Sequence, residues 1–210
     1  MLYPDRVGRV ILDSNVDADE YYAGRWVSNI DDLDKTVEDF FNKCHAAGPE
    51  KCAFWAKSPE HIAKRMEATI ESLRARPIPI ADRALLEHPF LINYEIVQNG
   101  IMLQLFTQDS FPTLAALLKE LESRNGTMVA AMYADFIKNG FVKQMDTVFI
   151  ACLDAAQRLD LSSMEKWEEY IKETVGVSKW LPGTWAGIGG MCSKARDIVP
   201  PASQLIDSEF

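Results

Sequence analysis

The chain has 210 residues, 48% of them apolar, and a formal net charge of −9 at pH 7. That length buries a core as one domain, or as one domain with a tail, and the acidic balance argues against a nucleic-acid partner, which needs a basic stripe to displace counterions from phosphates. No stretch approaches the roughly 20 apolar residues of a membrane span, and no basic region followed by an apolar core opens the chain, so as it stands it reads as cytoplasmic, without a signal peptide.

In chain order, Arg9-Val10-Ile11-Leu12 is a short β-branched apolar run between Gly8 and the turn-prone Asp13-Ser14-Asn15, and predicts a buried strand with nothing to pair with. Residues 17–30 read as a loop running into a short helix that carries Tyr21, Tyr22 and Trp26. Asp31 or Asp32 is placed to cap the next helix. On it Leu33, Val37, Phe40, Phe41 and Cys44 share a face, and Gly48-Pro49 ends it.

Ser58-Pro59-Glu60 is a strong helix start, followed by a stripe of Ile62, Met66, Ile70 and Leu73 and broken by Pro77 and Pro79. Residues 78–90 read as extended or loop, and 92–107 as a helix interrupted at Asn99-Gly100. Ser110-Phe111-Pro112 opens a helix with Leu114, Leu117, Leu118 and Leu121 as its core face. Asn125-Gly126 separates it from an amphipathic stretch at 128–137, closed by Asn139-Gly140. Residues 147–152 fit either a strand or a buried helical segment. A helix headed by Ser162-Ser163-Met164-Glu165 runs through Thr174, 180–190 reads as irregular, and the tail at 197–210 as frayed. The sum is a mainly α chain of about six helices with one or two short strands, and without internal repeats.

Several segments resemble a known family. Tyr3-Pro4-Asp5-Arg6-Val7, Val10-Ile11-Leu12-Asp13 and the run from Val16 to Tyr22 are similar to the segment that follows the nucleophile in secreted fungal and bacterial α/β-hydrolases of the tripeptidyl-aminopeptidase-like and proline-iminopeptidase group. The stretches from Phe40 to Phe54, from Phe149 to Asp154 and from Trp185 to Cys192 resemble segments of that family's helical lid. The resemblance implies a post-nucleophile strand at 1–16, a helical lid or cap at 17–196 and a tail at 197–210, with the catalytic core largely missing. The family's Gly-x-Ser-x-Gly elbow and its triad Asp and His have no counterpart here, so no catalytic residue is assigned.

In that family the cysteines look like structural disulfides. Cys44 and Cys52 are close enough to close a short loop, and Cys152 and Cys192 remain as a second pair, although four cysteines allow three connectivities and reduced buried thiols are the alternative. The resemblance also implies that aromatic side chains of the lid shape a substrate pocket. Tyr21, Tyr22, Trp26 and Trp185 are the first candidates, against the default of core packing for Phe40, Phe41, Trp55 and Trp180.

Other candidates are thin. His45, His61 and His88 sit near no recognisable nucleophile and read as structural or solvated. Gly187-Ile188-Gly189-Gly190 lacks the strand and Lys-Ser/Thr pair of a phosphate loop and reads as a turn. Asp17, Asp19 and Glu20 lack a calcium-loop pattern and read as a solvated acidic turn. No metal site and no cofactor is expected.

Three functions follow. The first is a truncated product of a serine peptidase or esterase, not hydrolytic alone and secreted if part of a longer precursor, with the peptide, ester or hydrophobic small molecule of the parent enzyme as ligand. Exposed apolar surface would then favour self-association. The second is a stand-alone lid-derived protein of fungal secondary metabolism that binds a small molecule or promotes a cyclisation or isomerisation by proximity. The third is a lid subunit whose partner chain supplies the hydrolase core.

Overall fold

The computed structural model describes residues 4–135, 149–155, 159–183 and 186–194, and these are mainly helical. The chain runs through α1 (Ala18–Ala23), α2 (Leu33–Ala47), α3 (Pro59–Ala75), β1 (Ile78–Ile80), β2 (Phe90–Ile92), α4 (Tyr94–Leu105), α5 (Phe111–Glu122) and α6 (Thr127–Asp135). A helical segment at 149–154 (α7), then α8 (Met164–Val177) and α9 (Ala186–Lys194) complete the described elements. Among them, no helix is long and apolar enough to cross a membrane.

Helices α2 to α6 share the larger core. Each presents apolar residues at intervals of three and four, which places them on one face. Val37, Phe40, Phe41 and Cys44 of α2 meet Ile62, Met66, Ile70 and Leu73 of α3, and Leu114, Leu117, Leu118 and Leu121 of α5. Helix α4 buries seven of its 12 residues, Val97 and Ile101 fully, and leaves only the stripe of Glu95, Asn99 and Leu103 exposed. That burial explains why Asn99-Gly100 does not interrupt it, because tertiary packing overrides the low propensity of both residues. Asn93 caps this helix, its Oδ1 accepting the Ile96 N–H at 3.0 Å.

The short strands β1 and β2 pair antiparallel, with Ile78 opposite Ile92 and Pro79 opposite Leu91. A two-stranded ribbon has only edges, so the missing N–H of Pro79 is tolerated. Arg65 then ties α3 to α5: its guanidinium pairs with both carboxylate oxygens of Glu122 at 2.6–2.7 Å, donates to Trp55 O at 2.8 Å and lies 4.2 Å over the Phe54 ring. This fork holds the Glu122 carboxyl below its ordinary pKa.

A smaller core joins Val27, Leu161, Tyr170 and Ala186 from four places in the chain. Asp34 at the start of α2 connects it to the larger one. Its carboxylate accepts Ser178 Oγ–H at 2.7 Å, the Lys179 N–H at 2.9 Å and the Trp180 N–H at 3.3 Å. The Trp180 ring then meets Phe41 edge-on at 5.0 Å. Two disulfides lie within this frame, Cys44–Cys52 between α2 and the loop after it, and Cys152–Cys192 between α7 and α9.

Several expectations are corrected. Arg9–Leu12 belongs to no strand, and Ile11 is 93% exposed: β1 and β2 pair with each other and not with this run. In 17–30 the helix comes first and the loop second, because Asp17 caps α1 and Gly24 at φ 72° stops it, which leaves Trp26 outside the helix. Asp32 stands before α2 without capping it; its carboxylate takes Lys35 Nζ at 2.6 Å instead. Residues 149–152 are helical, so the strand alternative fails there. The glycine-rich segment is not irregular from 186 onward but forms α9, since Gly189 and Gly190 let that helix approach the rings of Tyr170 and Trp167. Residues 136–137, 139–140 and 147–148, Trp185 and the tail at 197–210 lie outside the described residues.

Candidate aromatic site

The site begins with a cap. Asp17 Oδ1 accepts the Glu20 N–H at 2.9 Å and starts α1, whose single stretch of helix carries Tyr21 and Tyr22 side by side. Gly24 then turns the chain, and Trp26 follows at φ 62°, a left-handed conformation that a bulky side chain rarely adopts. The turn brings the three rings together. Tyr21 meets Tyr22 edge-on at 5.6 Å and Trp26 edge-on at 5.1 Å between centroids.

Charged groups hold the turn in place. One carboxylate oxygen of Glu20 accepts the Val27 N–H at 2.7 Å, while the other pairs with Arg25 Nε at 3.3 Å. The Arg25 guanidinium also clasps both carboxylate oxygens of Glu173 on α8. From the same helix Tyr170 donates its hydroxyl to Arg25 O at 2.9 Å. Glu20 is therefore a backbone anchor and not part of a solvated acidic turn.

Tyr21 donates its hydroxyl to Asp154 Oδ2 on α7 at 2.7 Å. Burial and then the adjacent carboxylate push the Tyr21 phenol up to about 12. Burial does the same to Tyr170, also to about 12, and the Arg25 charge only partly opposes it. Both phenols therefore stay protonated at neutral pH and serve here as hydrogen-bond donors.

Tyr22 is 54% exposed beside the half-buried Tyr21 and Trp26, so the cluster has one open ring and two supported ones. Nε1 of Trp26 and Oγ of Ser28 are buried without a hydrogen-bond partner among the described residues. Of the four aromatic residues expected at a pocket, Tyr21, Tyr22 and Trp26 are thus brought together, and Trp185 lies outside the described residues. Asp154, Arg25, Tyr170 and Glu173 were not among the candidates. Only Asp154 carried a signal, as the last residue of the Phe149–Asp154 stretch.

The histidines lie elsewhere. His45 stacks on Trp55 and its Nδ1 meets Ala56 O at 3.0 Å, while His61 and His88 are exposed. Among the described residues no Ser, Thr or Cys side chain is hydrogen-bonded to a histidine ring, and no three His, Cys, Asp or Glu side chains group as a metal site. Comparison with protein-family models, with curated proteins and with solved structures gives no match.

Proposed function

We propose that this chain is a helical cap of the α/β-hydrolase kind, without a hydrolytic group of its own. It lends residues 9–12 to the sheet of a hydrolase body and sets the Tyr21–Tyr22–Trp26 cluster over that body's peptide or ester substrate.

The observation that carries this reading is the exposed apolar run near the start of the described residues. Val7, Val10, Ile11, Leu12 and Val16 are 43, 48, 93, 72 and 43% exposed. Extended, the run would direct Val10 and Leu12 to one side and Ile11 to the other. A strand apolar on both faces suits the interior of a sheet covered by helices on both sides. Burying each of the three side chains is worth roughly 1.5–3 kcal/mol, a strong reason for such a segment to acquire a partner.

The purified chain is expected to leave activated esters and aminoacyl substrates unhydrolysed and to resist labelling by a fluorophosphonate. Turnover accompanied by a labelled serine overturns the reading.

A second reading, a stand-alone binder of a small molecule, is favoured by one observation. Trp26 Nε1, buried and unpaired among the described residues, belongs to a ring that packs on Tyr21, an arrangement suited to an apolar ligand with a hydrogen-bond acceptor. Saturable quenching of tryptophan fluorescence by aromatic esters, lost in Trp26→Phe, supports it. Identical quenching of both proteins removes it.

A further inference from the structure

The turn between α5 and α6 carries a chemistry that the cap reading does not use. Of the seven asparagines in the chain, Asn125 alone is followed at the second position by Ser or Thr, in Asn125-Gly126-Thr127. This is the acceptor pattern for N-linked oligosaccharide. We propose that Asn125 is a glycosylation site, and that the chain therefore passes through an oxidising secretory compartment.

Three observations carry this inference. Asn125 and Thr127 are both exposed, as are Glu122, Ser123 and Arg124 before them, so the turn has room for a sugar. Asn125 Oδ1 accepts the Thr127 N–H at 3.0 Å and the Thr127 Oγ1–H at 2.7 Å. The two side chains of the acceptor pattern are thereby held together, while Asn125 Nδ2 makes no hydrogen bond among the described residues. Finally, all four cysteines are joined in the Cys44–Cys52 and Cys152–Cys192 disulfides, and the compartments that form disulfides are also those in which this modification occurs.

The middle position of the turn has a packing reason of its own. A Cβ on Gly126 would meet Ile92 Cδ1 at 2.3 Å, so glycine there serves the approach of the turn to the β1–β2 ribbon. Thr127 is under no such constraint, since its side chain is exposed and its N–H needs only the Asn125 oxygen. The hydroxyl at this position bonds Asn125 Oδ1 within the turn and is also the group that the acceptor pattern requires.

The donor is a lipid-diphosphate-linked oligosaccharide. In the transfer, Nδ2 forms a bond to the anomeric carbon of the first sugar as the bond from that carbon to the diphosphate oxygen breaks. The lipid diphosphate leaves with the bonding pair, and the proton lost from Nδ2 goes to a base of the transferase.

The test directs the whole chain into the secretory pathway of a eukaryotic host, as wild type, Asn125→Gln, Thr127→Ala and Thr127→Ser. It is read in cell lysate as well as medium, so that variants retained in the cell are counted. Wild type and Thr127→Ser should show an upward gel shift removed by peptide-N-glycosidase, and the added mass should map to the peptide containing Asn125. That shift should be lost in Asn125→Gln and in Thr127→Ala, and the same peptide from the native protein should carry the same class of added mass. An unmodified Asn125 peptide in either wild-type source overturns the proposal, as does a shift that persists in Asn125→Gln.

Discussion

Tyr21 shows how a single side chain sets the character of the aromatic site. Its hydroxyl reaches Asp154 across 133 positions of sequence and joins α1 to α7. Tyr21→Phe removes the donor and leaves the carboxylate part-buried, and should cost about 1–3 kcal/mol, measured as a lower denaturation midpoint at pH 7. The pH dependence has a definite sign. The phenol ionises near 10.0 when unfolded and near 12 when folded, so the native state holds the extra proton between these values. This contribution is complete below pH 10 and lost as pH rises toward 12. The stability gap between wild type and Tyr21→Phe should therefore narrow over that window, and a gap that widens contradicts the role given to the hydroxyl. Tyr21, Tyr22 and Trp26 were singled out through the resemblance to a hydrolase lid, which did not foretell that their rings meet. Asp154 was marked only as the end of the Phe149–Asp154 stretch; its pairing with Tyr21, 133 positions away, announces itself only through the fold.

At the scale of elements, helices were legible where their stripes are regular and their caps conventional. Ser58 does accept the His61 N–H at 3.3 Å, and α5 buries its four expected leucines. The β-branched run at 9–12 forms no strand among the described residues, since local propensity says nothing of whether a partner is at hand. Helix α9 was missed because glycine is a poor helix former, and here close packing outweighs propensity. A Cβ on Gly189 would lie 2.4 Å from the Tyr170 hydroxyl and 3.2 Å from Gly24 O, whereas one on Gly187 meets nothing within 4 Å. Gly189→Ala should therefore destabilise by about 1–3 kcal/mol through overpacking. Gly187→Ala should be neutral or stabilising by up to about 1 kcal/mol, because alanine restricts the unfolded chain. Thermal denaturation of the pair checks this; equal effects would mean that α9 does not pack against Tyr170. The Cys152–Cys192 bridge, 40 residues apart, restrains the same helix, and replacing both cysteines by alanine should lower stability by roughly 2–4 kcal/mol.

For the molecule as a whole, the question is what surface it leaves uncovered. Helix α8 exposes Met164, Ile171 and Val175 on one face, α9 exposes Met191, and the run from Val7 to Val16 adds five more apolar side chains. Such surface favours association, and Ile11→Asp should reduce it, seen as a smaller weight-average mass in sedimentation at matched concentration. An unchanged mass would place the contact elsewhere, on α8 for example. The central claim concerns residues 9–12, and amide hydrogen exchange tests it most directly. In the isolated 210-residue chain the amides of Val10, Ile11 and Leu12 should exchange at the rate of unstructured peptide. In the native protein recovered from its source they should be protected as strongly as the amides inside α4, because they would then sit within a sheet. Equally fast exchange in both would contradict the cap reading.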